Sequence, residues 1–169
     1  MPEAKHSASY PPYASSDDFR RVFHEETDSL YRLAFLLTAD RAKAQQCVVT
    51  GLEDSVNGGP VFREWAHSWA RRTIIQNAVR VINPRPLEEH APSNFGRGGA
   101  TLAAEHVETA AVLRLEPFER FVYVMSVLEH YSDLDCALLL DCTRRDVIAA
   151  RIRGLQQIEM QSTFTVNAR

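Results

Sequence analysis

Arg144, Arg145, Arg151 and Arg153 crowd the stretch that follows Thr143. A guanidinium offers a planar fork of N–H donors that matches phosphate oxygens and the outer edge of guanine. Such chemistry is recognition rather than bond-making. Catalytic alternatives find little material. Cys47, Cys136 and Cys142 lack the CxxC spacing of a zinc or redox site. They read as small buried hydrophobes. The six histidines are scattered, so no metal ligand set and no cofactor is expected. The chain holds no glycine-rich phosphate loop and no nucleophile with a recognisable base. The protein is expected not to be an enzyme.

Two short helices must position those arginines. Ser132 stands three residues before Asp135, the spacing of a capping box. A short apolar helix follows, with Leu134, Cys136, Ala137, Leu139 and Leu140. Asp141-Cys142 makes a turn. Thr143 then caps a second helix, with Asp146 three residues on. That helix carries Val147, Ile148, Ile152, Leu155 and Ile158 as its apolar set. Two helices joined by a short turn, the second opening with arginines, is a helix-turn-helix arrangement. The start of the second helix presents free amides and the positive end of its dipole. On pattern alone, the same arginines fit a solvated helix face equally well.

The rest of the chain predicts an all-α protein. Its 45% apolar content is that of a globular chain, and its net charge is −3. The sum does not announce a nucleic-acid binder, so local clustering carries the argument. Residues 1–16 read as a disordered tail, with Ser16 or Asp17 capping the helix after it. Phe19, Val22, Phe23, Leu30, Leu33, Ala34 and Leu37 recur at helical steps up to Thr38, with a break near Thr27. Ala42–Val56 forms a second helix. Asn57-Gly-Gly-Pro60 breaks the chain, and a third helix runs from about Val61 to Ile82. Trp65 and Trp69 lie on its apolar stripe and read as core. Arg71 and Arg72 can pair with Glu53, Asp54 or Glu64. Proline- and glycine-rich residues 84–100 read as a flexible linker between a module over 17–83 and one over 101–161, with 162–169 as a tail. Further helices are expected over Thr101–Arg114, Pro117–Glu129, Ser132–Leu140 and Thr143–Gln161. No apolar run suits a membrane span and no secretory signal is visible, so a cytoplasmic location is expected.

The segment from Leu115-Glu-Pro-Phe-Glu-Arg through Asp141-Cys-Thr-Arg-Arg-Asp-Val147 resembles region 4 of the extracytoplasmic-function sigma factors. Leu30-Tyr-Arg-Leu-Ala-Phe-Leu-Leu-Thr-Ala-Asp-Arg-Ala-Lys-Ala44 is similar to the opening of their region 2. Trp65-Ala-His-Ser-Trp-Ala-Arg-Arg-Thr-Ile-Ile-Gln-Asn-Ala-Val-Arg80 is similar to the later region 2 helix. The resemblance implies a transcription initiation protein whose partners are core RNA polymerase and promoter DNA, with an anti-sigma factor as a further class of partner. It implies that Thr143, Arg144, Arg145, Arg151 and Arg153 face the minus-35 element. Arg71, Arg72 and Arg80 would face the minus-10 element. The Asn57–Phe62 loop would lie near a base flipped out of the duplex. Asp40, Arg41, Gln45 and Gln46 would belong to the polymerase-binding face. Some positions depart from the family pattern. Gln45, Gln46 and Val49 stand where an acidic pair and a glutamine are usual, and Gln76 replaces an aspartate. Asp141 replaces a glycine, and Ile148 and Ala149 replace polar residues. Two other readings stay open: a degenerate sigma-like interaction protein, and a stand-alone helix-turn-helix regulator.

Overall fold

A computed structural model of the chain describes residues 12–86 and 107–166. Most of the expected tail, most of the expected linker and the start of the helix expected from Thr101 lie outside the described residues. The fold is all-α, with eight α-helices among the described residues. The one extended pairing among the described residues is an isolated bridge between Tyr13 and Phe62.

Helix α1 spans Ser16–Glu25. Its cap is Ser15, one residue before the expected position. The Asp18 N–H donates to Ser15 Oγ at 3.2 Å, and the Ser15 N–H donates to Asp18 Oδ2 at 2.9 Å. Phe19, Val22 and Phe23 form its buried face. The break expected near Thr27 falls at Glu26. There the Thr27 hydroxyl donates to the Phe23 carbonyl at 2.6 Å, competing with the helical ladder. Helix α2 (Thr27–Thr38) buries Leu30, Leu33, Ala34 and Leu37 completely or nearly so. It ends on Ala39 in the left-handed region (φ 53°).

Helix α3 (Arg41–Asn57) starts on Asp40, whose Oδ1 accepts the Lys43 N–H at 2.9 Å. Gly51 lies mid-helix because Ile74 leaves no room there. A Cβ would fall 2.8 Å from Ile74 Cδ1. After the Asn57–Pro60 break, Arg63–Trp65 forms a single 3₁₀ turn, and helix α4 covers Ala66–Ile82. Asn83 caps it in the left-handed region (φ 50°), and Pro84 follows.

The second half begins with α5 (Val107–Leu113) and α6 (Pro117–Tyr123), the latter with proline at its first turn. Helix α6 runs on as a π-helical turn over Val124–Leu128. The β-prone Phe121-Val-Tyr-Val-Met125 therefore lies in helical structure, and Phe121, Val122, Val124 and Met125 are fully buried. Helix α7 (Asp133–Leu140) and helix α8 (Arg144–Val166) follow. Helix α8 continues beyond the expected end at Gln161.

The buried side chains do not divide at residue 83. One core runs from Phe19, Leu30 and Ile74 to Phe118, Met125, Val147 and Ala150. Helix α2 packs on α5 and α6 as well as on α3 and α4. The buried Arg120 stitches this seam. Its Nε–H donates to the Leu37 carbonyl at 3.1 Å, and Nη1 to the Leu115 carbonyl at 3.0 Å. The end of α2 is the negative end of its dipole, which suits a cation.

Candidate nucleic-acid interface

The helix-turn-helix is built from local contacts. The Asp135 N–H donates to Ser132 Oγ at 3.1 Å, which starts α7. Asp141 takes a left-handed conformation (φ 51°) and ends it. A glycine would sit there without strain, so Asp141 is a costlier solution of the same turn. Thr143 then caps α8. The Asp146 N–H donates to Thr143 Oγ1 at 3.2 Å, and the Thr143 N–H donates to Asp146 Oδ2 at 3.0 Å. Those bonds, from the Thr143 hydroxyl first, hold the Asp146 carboxyl below its ordinary range.

Arg144 and Arg145 occupy the first turn of α8. Both are exposed, and neither side chain makes a hydrogen bond or ion pair among the described residues. Their backbone N–H groups belong to the first turn, which has no intrahelical acceptors. The remaining arginines are placed differently. Arg151 is half-buried and pairs with both oxygens of Asp133 at the start of α7. Arg153 Nε donates at 2.7 Å to Glu119, a carboxylate only 1% exposed, which also accepts from Gln157. These two arginines hold α8 against α7 and α6. They do not stand free with Arg144 and Arg145.

Burial on α8 also departs from expectation. Val147, Ala150 and Gly154 face inward. Ile148, Ile152 and Leu155, expected in the apolar interior, are 40–50% exposed. At about 100° per residue they lie roughly a quarter-turn or more round from the Val147 stripe, on the face that carries Arg144 and Arg145. Leu134 and Leu138 of α7 are more exposed still, at 56% and 70%. The apolar count of each helix exceeds what one core-facing stripe can hold.

In the first half, Arg71 is taken by Glu129, Ser29 and Glu26. Its predicted partners Glu53, Asp54 and Glu64 play no part. Asp54 serves Arg80 instead, at 2.9 Å, and also accepts from Asn77 at 3.1 Å. Arg72 is half-buried, with no ion pair among the described residues. Trp69 packs against the core as expected, but Trp65 does not. It is 55% exposed and meets Phe62 edge-on, ring centroids 5.1 Å apart. The 3₁₀ turn winds at about three residues per turn, which carries Trp65 off the α4 stripe.

The Asn57–Phe62 loop is pinned by residues assigned above to the tail. The Ala14 N–H donates to the Val61 carbonyl at 2.7 Å, the Arg63 N–H to the Pro12 carbonyl at 2.9 Å, and Tyr13 stacks on Phe62. Residues 12–15 are therefore ordered, contrary to expectation. On α3, Arg41, Gln45, Gln46 and Val49 are all exposed on the outer surface. Asp40 spends its carboxylate on the helix cap.

The thiols are inert by environment. Cys47 and Cys136 are buried, and Cys136 and Cys142 are pushed up to about 11, chiefly by burial. Among the described residues no cluster of His, Cys, Asp and Glu could hold a metal ion. No described helix is long and apolar enough to cross a membrane. No protein-family model matches the chain, and no curated protein matches it.

Proposed function

We propose that the chain is a sigma-like transcription initiation protein that contacts promoter DNA through the start of α8 and acts with core RNA polymerase. One observation carries this reading. Arg144 and Arg145 are exposed and unpaired among the described residues, on the first turn of a capped 23-residue helix. A bidentate arginine–guanine contact is worth about 1–3 kcal/mol of discrimination. Ile148 and Ile152 on the same face suit thymine methyl groups, the apolar feature of the major groove. Arg71, Arg80, Arg151 and Arg153 each hold a carboxylate partner of this chain, so Arg144 and Arg145 carry the reading instead. A net negative chain gains little from counterion release, so promoter use would require polymerase.

A second reading has its own support. The exposed Ile148, Ile152, Leu155, Leu134 and Leu138 also suit a protein surface. That favours a sigma-like interaction protein that binds a partner and no promoter. Reconstitution with bacterial core RNA polymerase separates the readings. Transcription from a selected promoter supports the first. DNA binding without polymerase would make the protein a stand-alone regulator. Polymerase or partner binding without DNA contact would leave the second reading.

A further inference from the structure

An open cleft of about 220 Å³ lies where the two halves meet, lined by Trp65, Ser68, Trp69, Arg72 and Tyr131. The first four come from the 3₁₀ turn and the opening of α4: Trp69 and Arg72 are neighbours on α4, and Trp65 reaches the same cleft from the 3₁₀ turn. Tyr131 arrives from the other half. It is fixed by the left-handed His130 before it (φ 58°) and by its own N–H, which donates to the Met125 carbonyl at 2.9 Å.

The chemistry of the lining is selective. Two indoles and a phenol offer flat apolar faces, which favour a planar ring. Trp65 leaves more than half its surface in water. Aromatic clefts of this kind also attract cations, but here the cleft already contains one. The Arg72 guanidinium makes no ion pair among the described residues, while its neighbour Arg71 has Glu129 and Glu26. No carboxylate lines the cleft. A bound cation would meet the like charge of Arg72, whereas a carboxylate or phosphate would meet a matching fork. The hydroxyls of Ser68 and Tyr131 supply further donors. Size narrows the class again. Pockets for drug-sized ligands run to about 300–1,000 Å³, so this cleft suits a single ring system.

We propose that the cleft formed by Trp65, Trp69, Arg72 and Tyr131 binds a small planar aromatic anion, a ring bearing a carboxylate or a phosphate. The ring lies against the indoles and the anionic group pairs with Arg72. The site stands independently of promoter recognition. It spans both halves of the chain beside Glu129, so its occupant bridges the seam.

The test exploits a property of the sequence. Trp65 and Trp69 are the only two tryptophans in the chain, and both line the cleft. The full-length protein, labelled with ¹⁵N, is titrated with benzoate and with phenyl phosphate while its indole N–H signals are followed. Acetate, benzyl alcohol and benzyltrimethylammonium serve as controls. Both indole signals are expected to move saturably with the aromatic anions, and the tighter of the two names the head group. Binding should weaken about tenfold or more for benzyl alcohol and for Arg72→Gln, the order expected for one charge-assisted pair. Trp65→Leu, a change at an exposed position, should weaken the anions while the fold persists by circular dichroism. Unmoved indole signals would overturn the proposal. So would benzyl alcohol or the ammonium binding as tightly as benzoate, or unchanged affinity in Arg72→Gln.

Discussion

Arg71 grips Glu129 side-on across 58 residues of sequence, its Nε donating to Oε2 at 2.6 Å while Nη2 reaches Oε1. The pair is mostly buried, and the hydrogen bonds that Arg71 donates to Glu129 raise the guanidinium pKa. It closes the seam between α4 and the end of the π-helical turn. An arginine expected to face promoter DNA is thereby spent on holding the two halves together. For Arg71 to reach DNA, the Glu129 contact must first break.

That closure is measurable. Charge-assisted hydrogen bonds contribute about 1.5–3 kcal/mol each way they are removed. Glu129→Gln and Arg71→Ala should each lower the free energy of unfolding by an amount of about 1–3 kcal/mol. Because they remove one shared interaction, the double variant should lose less than the sum, with a coupling of about 1 kcal/mol or more. Urea denaturation of the four proteins gives the cycle. Strict additivity would show that the contact contributes nothing to holding the seam.

Glu119 makes a sharper case. Its carboxylate is 1% exposed and depends on Arg153 and Gln157. Arg153→Ala removes the only cation seen on it among the described residues and leaves Gln157 as donor. The expected loss is about 1–3 kcal/mol, the penalty of a buried polar group left short of partners. Adding Glu119→Gln to that variant should restore part of the loss, since a neutral amide is cheaper to bury than a carboxylate. If Arg153→Ala unfolds at the wild-type urea midpoint but fails on DNA, Arg153 belongs to the interface and not to the α6–α8 contact.

Asp141 tests the turn itself. A non-glycine residue in the left-handed region costs about 1 kcal/mol or somewhat more. Its side chain is almost wholly exposed, with one long contact to Arg85 at 3.9 Å. Asp141→Gly should therefore raise stability by about 0.5–1 kcal/mol despite the greater unfolded-state freedom of glycine. Thermal unfolding by circular dichroism measures it. A lower midpoint would mean that the Asp141 carboxylate contributes more than its backbone strain removes.

Local signals were legible in the chain and long-range pairing was not. The caps at Ser132 and Thr143 depend on neighbours three residues apart: the Thr143–Asp146 box closes in both directions, and at Ser132 the Asp135 N–H to Ser132 Oγ half forms. The Asn57-Gly-Gly-Pro60 break and the turn at Asn83-Pro84 are equally local. By contrast, nothing in the spacing of Arg71 marks Glu129 as its partner. That choice follows from α2 docking on both halves, a tertiary event. Trp65 left the core because three residues wind as 3₁₀, a departure that apolar periodicity does not encode. The same limit affects Ile148 and Ile152. A helix with apolar residues on more than one face does not declare which face is inside.

Acid should destabilise the protein through its caps. Asp18 is held at about 2, first by the Ser15 backbone and side-chain hydrogen bonds and then by Arg63. An unfolded aspartate titrates near 3.9. A depressed folded value contributes stability that is whole above the unfolded value and fades as pH falls toward the folded one. Asp146 is shifted in the same direction. The urea midpoint should therefore fall as pH drops from about 5 toward about 2, and Asp18→Asn should flatten that slope. Equal slopes in the two proteins would remove Asp18 from the account of acid sensitivity.

The start of α8 decides the functional reading. Arg144 and Arg145 are exposed and make no ion pair among the described residues, so replacing both with alanine should change stability by less than about 0.5 kcal/mol. Alanine also keeps the helix start intact, since Thr143 and Asp146 supply the cap. The same double replacement removes the guanidinium forks nearest to DNA in the proposed complex. Two lost contacts of about 1–3 kcal/mol each should weaken promoter use by about a hundredfold or more. Arg20→Ala is the natural control, because it removes an exposed arginine from a different helix, α1. Abortive transcription with reconstituted polymerase reads the difference directly. If Arg144→Ala with Arg145→Ala transcribes as well as the control, the first turn of α8 does not touch DNA. The exposed Ile148–Ile152–Leu155 face would then be a protein contact, and the interaction reading would replace the promoter reading.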